Sequence, residues 1–208
     1  MKNKFFKTFF ILLILLIIYI FISANYYSNA VIEDISQNVL RLHVIANSNS
    51  EEDQKLKYIV RDNVLNYMNE ISFNCSTKDD AIYVLNEHLD EFYDIDKNTI
   101  EENGFTYDVT VSIDNCAFPT KTYGDISLPA GYYDALKIEI GSASGQNWWC
   151  VMSPPLCFVD VSSGIVDEDS KKLMQDNLSE EDYKIVSSSS TDIKIKFKII
   201  EWINNTKI

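Results

Sequence analysis

The chain has 208 residues, of which 46% are apolar, and a formal net charge of −13. The only charged side chains in residues 1–30 are three lysines, so the rest of the chain carries −16. Such an acidic chain disfavours binding to nucleic acid or to an anionic membrane surface, and its length suits one globular domain with a hydrophobic core.

The N-terminal segment has the features of an export signal. Lysines precede an apolar run over Phe9–Ile22, and small residues follow it at Ser23-Ala24 and at Ser28-Asn29-Ala30. This order is typical of a signal peptide. The run is shorter than the about 20 residues that a spanning helix needs, although Phe5 and Phe6 lengthen it, so an uncleaved anchor is the alternative.

Either alternative places the body of the chain outside the cytoplasm. We therefore expect residues 1–30 to be a signal peptide or an N-terminal membrane anchor, and residues 31–208 to form a single extracytoplasmic domain. If the segment is not cleaved, residues 5–22 would be the only part of the chain in contact with the membrane.

The first half of the body predicts a strand followed by helices. Leu40, Leu42 and Val44 alternate with their neighbours, as in a strand that buries one face. Ser50 with Asp53, or Ser48 with Glu51, resembles a capping box at the start of a helix. Thr77 is the candidate N-cap of a second helix, and the acidic residues after it favour the positive end of that helix. The predicted elements are a strand over 38–46, a helix over 51–71, a helix from Thr77 to Phe92 and a helical turn over 97–103.

In the second half of the body the apolar pattern changes to a period of two, which is typical of strands. Helices thus come early and strands late, which predicts an α+β fold with N-terminal helices packed on a largely antiparallel sheet. The predicted strands cover 105–113, 121–127, 132–140 and 193–199, with a hairpin over 148–160, a short helix over 170–177 and a loop over 187–190.

The predicted hairpin contains two cysteines. Apolar runs over Trp148–Met152 and Leu156–Val159 flank Ser153-Pro154-Pro155, which indicates two strands joined by a tight turn. Cys150 and Cys157 would then lie nearly opposite each other. A disulfide between them is geometrically reasonable, and it would persist outside the cytoplasm.

The chain has four cysteines, which allow three complete pairings. Proximity favours Cys150 with Cys157, which leaves Cys75 with Cys116 as a second pair. A zinc site is the rival interpretation, but the Cys-x6-Cys spacing and the presence of only two histidines disfavour it. We expect no metal and no cofactor.

Several short strings, in order along the chain, resemble those of one known family. They are Leu40–Ser48, Asp53-Gln54-x-x-Lys57-x-x-Val60-Arg61-Asp62, Phe118-Pro119-Thr120-Lys121-x-Tyr123-Gly124, Leu128-Pro129-Ala130-Gly131-x-Tyr133, Gly145–Cys150 and Pro154–Asp160, where x is any residue. The resemblance is to the stage II sporulation protein R family, and it covers roughly residues 33–203. Its most specific part is the Asn-Trp-Trp-Cys string with the following Pro-Pro-Leu-Cys, whereas Cys75 and Cys116 lie outside the matching strings.

This resemblance implies a signalling role in endospore formation. Such a protein is exported from the forespore into the space between the forespore and mother-cell membranes. There it activates a membrane-embedded aspartic protease of the mother cell, which then processes the precursor of a sporulation sigma factor. On this interpretation the chain is a ligand and not an enzyme.

The partner-binding residues are expected around the hairpin and the turn after the first strand. An exposed tryptophan is a good interface anchor, and two adjacent tryptophans in a strand point to opposite faces. The candidate residues are His43, Asn47, Asn147, Trp148 and Trp149.

Two other function classes remain open at this point. An exported hydrolase, acting on cell wall or on a small molecule, would use His43 as a base with a nearby serine or carboxylate, although no serine lies in a Gly-x-Ser-x-Gly elbow. A structural envelope protein held by the N-terminal helix is the third class.

Overall fold

The chain begins with one long helix, α1, over Lys2–Asn38 in the computed structural model, which describes residues 2–71, 75–157 and 166–187. Every large apolar side chain from Phe5 to Ile22 is exposed. The stretch Lys4–Asn38 is long and apolar enough to cross a membrane, so it is compatible with a signal or an anchor. Near its C-terminal end the helix packs on the body of the protein, where Ile35 is fully buried.

The body is built on a mixed sheet of four strands with a separate two-stranded hairpin. The strands are β1 (Leu40–Ile45), β2 (Val109–Phe118), β3 (Lys121–Tyr123), β4 (Ile126–Leu128), β5 (Gly131–Ile140) and β6 (Asn147–Ser153). The order in the sheet is β2-β5-β1-β6, and β3 pairs with β4. The β1–β5 pair is parallel, whereas the β1–β6 and β2–β5 pairs are antiparallel, so the sheet is largely antiparallel and the predicted α+β class is confirmed.

Within the described ranges, five further helices follow the first strand. They are α2 (Glu51–Glu70), α3 (Lys78–Glu87), α4 (Leu89–Glu102), α5 (Glu168–Asn177) and α6 (Glu180–Ser187). Of the two predicted caps of α2, Ser50 and not Ser48 is the N-cap, and Thr77 is confirmed as the N-cap of α3: their side chains accept hydrogen bonds from the backbone N–H groups of Asp53 and Asp80. Each cap satisfies an N–H that the helix itself leaves unpaired.

Both faces of the sheet are covered, which is why all six residues of β1 are buried. On one face, here called the α2 face, Leu40, Leu42 and Val44 pack with apolar side chains of α2, α3 and α4. On the other, the α1 face, Val151 of β6 belongs to the cluster that includes Ile35 of α1 and side chains of α5 and α6. Strand β1 is therefore the centre of two cores.

Two predicted elements of the first half differ from the structure. The helix predicted to run from Thr77 to Phe92 ends at Glu87, and α4 begins directly after His88 and includes the predicted turn over 97–103 except its last residue. The backbone at His88 leaves helical geometry with φ −117° and ψ 14°. The apolar spacing on the two sides of this bend is similar, so the pattern alone does not show the break.

The strand predictions of the second half also need correction. Strand β2 begins at Val109 instead of residue 105, and the strand predicted over 121–127 is the β3–β4 hairpin. Gly124 has a φ of +56°, a conformation that suits glycine, at the turn between β3 and β4. Helix α6 was not predicted.

Only the first arm of the predicted 148–160 hairpin is a strand in the described residues, namely β6. Leu156 and Cys157 are outside any strand, and residues 158–160 lie outside the described residues. The predicted loop beyond Ser187 and the predicted strand over 193–199 also lie outside them.

The Cys150–Cys157 disulfide is present, with 5.2 Å between the two Cα atoms. Cys75 and Cys116 are both thiols in the structure, so the second predicted pair is wrong. The physical reason is the sheet itself: Cys75 packs against the core on the α2 face, and Cys116 packs against the core on the α1 face.

Cys150 and Cys157 are 7 residues apart along the chain, so their disulfide closes a short loop. Removing it is expected to lower the free energy of unfolding by about 2.5 kcal/mol, because the unfolded chain gains the entropy that closing the loop had removed. The test compares thermal unfolding of Cys157→Ala with that of Cys116→Ala, which removes a half-buried thiol. Cys157→Ala should melt about 5–10 °C below the wild type. An equal midpoint for wild type and Cys157→Ala would contradict the expectation.

Candidate partner-binding surface

The register between β1 and β6 brings the predicted residues together at one end of the sheet. His43 lies opposite Trp149, Val44 lies opposite Trp148, and Ile45 lies opposite Asn147. Because side chains alternate along a strand, Trp148 points to the α2 face and Trp149 to the α1 face. Both tryptophans are half-buried, so neither is a pure core residue.

Trp148 forms a compact group with three residues of α2, which we call the Trp148 cluster: Lys57, Tyr58, Arg61 and Trp148. The Arg61 guanidinium lies 4.4 Å from the Trp148 ring centroid and 5.0 Å from that of Tyr58. The two rings meet edge to face with 5.6 Å between their centroids. Tyr58 remains 39% exposed, so the cluster reaches the protein surface.

Lys57 is the buried member of the cluster. Its ammonium donates to Gln54 Oε1 at 2.7 Å and to the carbonyl oxygen of Gln146 at 3.2 Å, and it lies 4.7 Å from the Tyr58 ring centroid. Burial, with a smaller contribution from the charge of Arg61, lowers the pKa of Lys57. None of its contacts among the described residues is a carboxylate.

His43 is buried on the opposite face of the same sheet. Its Nε2 lies 2.8 Å from Asn147 Oδ1 in a hydrogen bond, and its ring stacks on Trp149 with 5.9 Å between centroids. Burial lowers the pKa of His43, although the hydrogen bond to Asn147 acts in the opposite direction. Asn147 therefore serves chiefly to hold the imidazole in place.

The arrangement around His43 does not resemble that of a general base. Such a base needs a nucleophile within hydrogen-bond reach and a group that orients it. The hydroxyl of Ser48 donates instead to Asp53 Oδ2 at 2.5 Å, and the hydroxyl of Ser50 accepts from the backbone of α2. None of the contacts that His43 makes with the described residues thus favours hydrolysis.

Asn47 joins two loops. Its Nδ2 donates to Asp53 Oδ2 at 2.8 Å, and its Oδ1 accepts from the backbone N–H of Ser142 at 3.0 Å. Burial would raise the pKa of Asp53, but the hydrogen bonds from Ser48 and Asn47 outweigh it and hold that pKa below its usual range. Asn47 therefore fixes the loop after β1 against the loop between β5 and β6.

A buried cation also lies on the α1 face. Arg41 is fully buried, and its guanidinium lies 4.2 Å from the Phe118 ring centroid and 4.8 Å from that of Tyr133. It donates to the hydroxyl of Tyr123 at 2.7 Å and to the carbonyl oxygen of Cys150 at 3.2 Å. In the part of the chain that the structure describes, the Arg41 guanidinium contacts aromatic rings and neutral oxygens and no carboxylate.

Sequence reasoning missed four residues of these two groups: Arg41, Lys57, Tyr58 and Arg61. The signal for two of them was present, because Lys57 and Arg61 are four residues apart and share one side of a helix. Across residues 2–71, 75–157 and 166–187, no group of three or more histidine, cysteine or acidic side chains could hold a metal ion.

Two comparisons with known proteins match the part of the chain that contains these residues. The sequence model described as stage II sporulation protein R matches residues 36–163. The chain is also 34% identical over 184 residues to stage II sporulation protein R of Bacillus subtilis (strain 168), covering 82% of each chain. No solved structure matches the chain.

Proposed function

The chain belongs to the stage II sporulation protein R family and has a role in sporulation, and from that membership we propose that it is an exported signalling protein. In this proposal it leaves the forespore, enters the space between the two membranes, and activates a membrane-embedded aspartic protease of the mother cell. The protease then processes a sigma-factor precursor. The chain itself performs no chemistry.

The N-terminal helix supports the export step. Residues 5–22 rise about 1.5 Å each along a helix, so they span about 27 Å, close to the about 30 Å of a bilayer hydrocarbon core. Lys2 and Lys4 precede this stretch and Lys7 lies in its first turn, and a basic flank favours the cytoplasmic side. The proposal therefore places residues 31–208 on the far side of the forespore membrane as one domain, whether the helix is cleaved or kept as an anchor.

A ligand of this kind must bind the active state of its receptor more tightly than the inactive state, because only a difference in affinity shifts the population. The surface proposed for that contact is the end of the sheet with Trp148 and Trp149. Tryptophan is the commonest energetic anchor at interfaces, and both indoles are half-buried here. His43, Asn47 and Asn147 hold this surface in shape, and the observation that carries the proposal is the family match over residues 36–163.

Replacing either tryptophan is expected to reduce precursor processing by at least about tenfold, as for an interface anchor. Trp148→Ala and Trp149→Ala would each be expressed with the protease and the precursor, and processing would be normalised to folded, exported protein. Tyr83→Ala, which removes a 67% exposed aromatic ring from α3, is the control and should process normally. Full processing by both tryptophan variants would defeat the surface assignment.

A further inference from the structure

The Trp148 cluster is an unusual feature of an acidic protein. The net charge is −13, yet two cations, one of them buried, and two aromatic rings lie together here, and the cluster reaches the surface. Arginine, tryptophan and tyrosine are the residue types that dominate interface energetics. Lys57, Arg61 and Trp148 belong to the strings that carry the family resemblance, whereas Tyr58 stands at an open position of its string.

Within the described residues one cation of the cluster, Lys57, has no acidic partner, and the other, Arg61, has a single exposed one. Lys57 contacts only neutral oxygens and a ring. Arg61 bonds one acid, Asp62, but its Nε and Nη2 both reach the same oxygen, Oδ1, at 2.7 and 2.6 Å. The Asp62 side chain is itself 56% exposed, so this bond is a surface pair of small energy.

The Arg61 guanidinium lies against both rings of the cluster, and its side chain keeps 19% of its surface exposed. A planar guanidinium binds a carboxylate through two parallel hydrogen bonds, which a flexible lysine cannot do. The buried ammonium of Lys57 behind it adds positive potential at the same place.

We propose that the Trp148 cluster docks a carboxylate side chain on the outward face of the protease, with Arg61 as the group that pairs with it. This inference rests on the proposed function. The occupant is an acidic protein segment and not a lipid headgroup, because the net charge of the whole chain opposes an extended anionic membrane surface. A single carboxylate held against the two rings, in contrast to an extended surface, is affected mainly by the nearby positive charges of Arg61 and Lys57.

The test uses the full chain, expressed in a heterologous cell with the protease and its precursor substrate. Arg61→Glu is compared with Lys55→Glu, which makes the same charge change at an exposed position of the same helix. We expect Arg61→Glu to reduce processing by at least about 30-fold, the effect of losing an interface hot spot, and Lys55→Glu to stay within about twofold of the wild type. Arg61→Gln removes the charge but keeps polar contacts, and it provides the comparison if the glutamate variant does not fold.

A second measurement separates docking from folding. The affinity of the full chain for the protease, both in detergent, is measured at low and at high salt. Salt should weaken the wild type more than Arg61→Gln, because salt screens a pairing that the variant lacks. Binding to vesicles of anionic phospholipid is measured in parallel and should be weak and unchanged by Arg61→Gln.

The outcomes distinguish this inference from the function on which it rests. No processing with the wild-type chain would overturn the proposed function. Normal processing by folded Arg61→Glu or Arg61→Gln, with an active wild type, would overturn only the docking proposal. Vesicle binding that is strong and lost with Arg61→Gln would replace the protease with a membrane as the occupant and would also overturn it.

Discussion

Gly145→Ala is expected to lower the free energy of unfolding by about 3 kcal/mol or more, the upper range for overpacking. A Cβ at residue 145 would lie 2.2 Å from the carbonyl oxygen of Ser48 and 2.9 Å from the Cβ of Ala46. The backbone cannot move away, because the N–H of Gly145 donates to the carbonyl oxygen of Ala46 at 2.9 Å. The loop after β1 and the loop after β5 are in contact at this glycine.

The matched control is Gly104→Ala at the end of α4. Gly104 has a φ of +84°, but no atom lies within 4 Å of a Cβ there. Its substitution should therefore show only the backbone penalty of about 1–2 kcal/mol. Chemical unfolding of both variants measures the difference. Equal stabilities for the two variants would show that the contact between the loops is looser than described.

The stability of the wild type is expected to fall as the pH rises above about 4, the pKa of an exposed aspartate, and Asp96→Asn is expected to abolish this fall. Asp96 of α4 is fully buried, and neither carboxylate oxygen has a hydrogen-bond partner in the described part of the chain. Burial raises the pKa of this carboxyl well above its usual range. The folded protein therefore holds the proton that the unfolded chain releases.

The sign follows from that difference in proton binding. Below pH 4 both states are protonated and the group has no effect. As the pH rises toward the folded pKa, the unfolded state releases its proton first, and the stability of the wild type falls by up to about 1.4 kcal/mol per pH unit. The asparagine variant cannot ionise, so its stability should not show this fall.

Unfolding by denaturant at several pH values between 4 and 8 tests the expectation. The control is Asp94→Asn, an exposed position on the same helix. The difference in stability between Asp96→Asn and wild type should grow with pH by at least about 1.4 kcal/mol, while that of Asp94→Asn stays within about 0.5 kcal/mol. Parallel curves for wild type and Asp96→Asn would mean that Asp96 reaches water or a partner.

Local signals were enough to predict the elements that depend on them. The start of α2 follows from the Ser50 cap, and its length follows from apolar spacing, which is a property of the segment itself. The opposite orientation of Trp148 and Trp149 follows from the period of a strand. The disulfide followed because Cys150 and Cys157 are close in sequence as well as in space.

Long-range arrangements were not predictable from the same signals. The parallel pairing of β1 with β5 joins Arg41 to Ala135, far apart along the chain, and no local pattern encodes it. The positions of Cys75 and Cys116 on opposite faces depend on that sheet order. Lys57 and Arg41 are cations that a pattern assigns to the surface, whereas both are buried because aromatic rings and neutral oxygens surround them.

The most direct measurement is precursor processing in a heterologous cell that produces this chain, the membrane protease and the sigma-factor precursor in every combination. The account predicts processing only when all three are present and the chain is exported with its Cys150–Cys157 bond formed. Processing without the chain, or none in the presence of folded and exported chain, would contradict it.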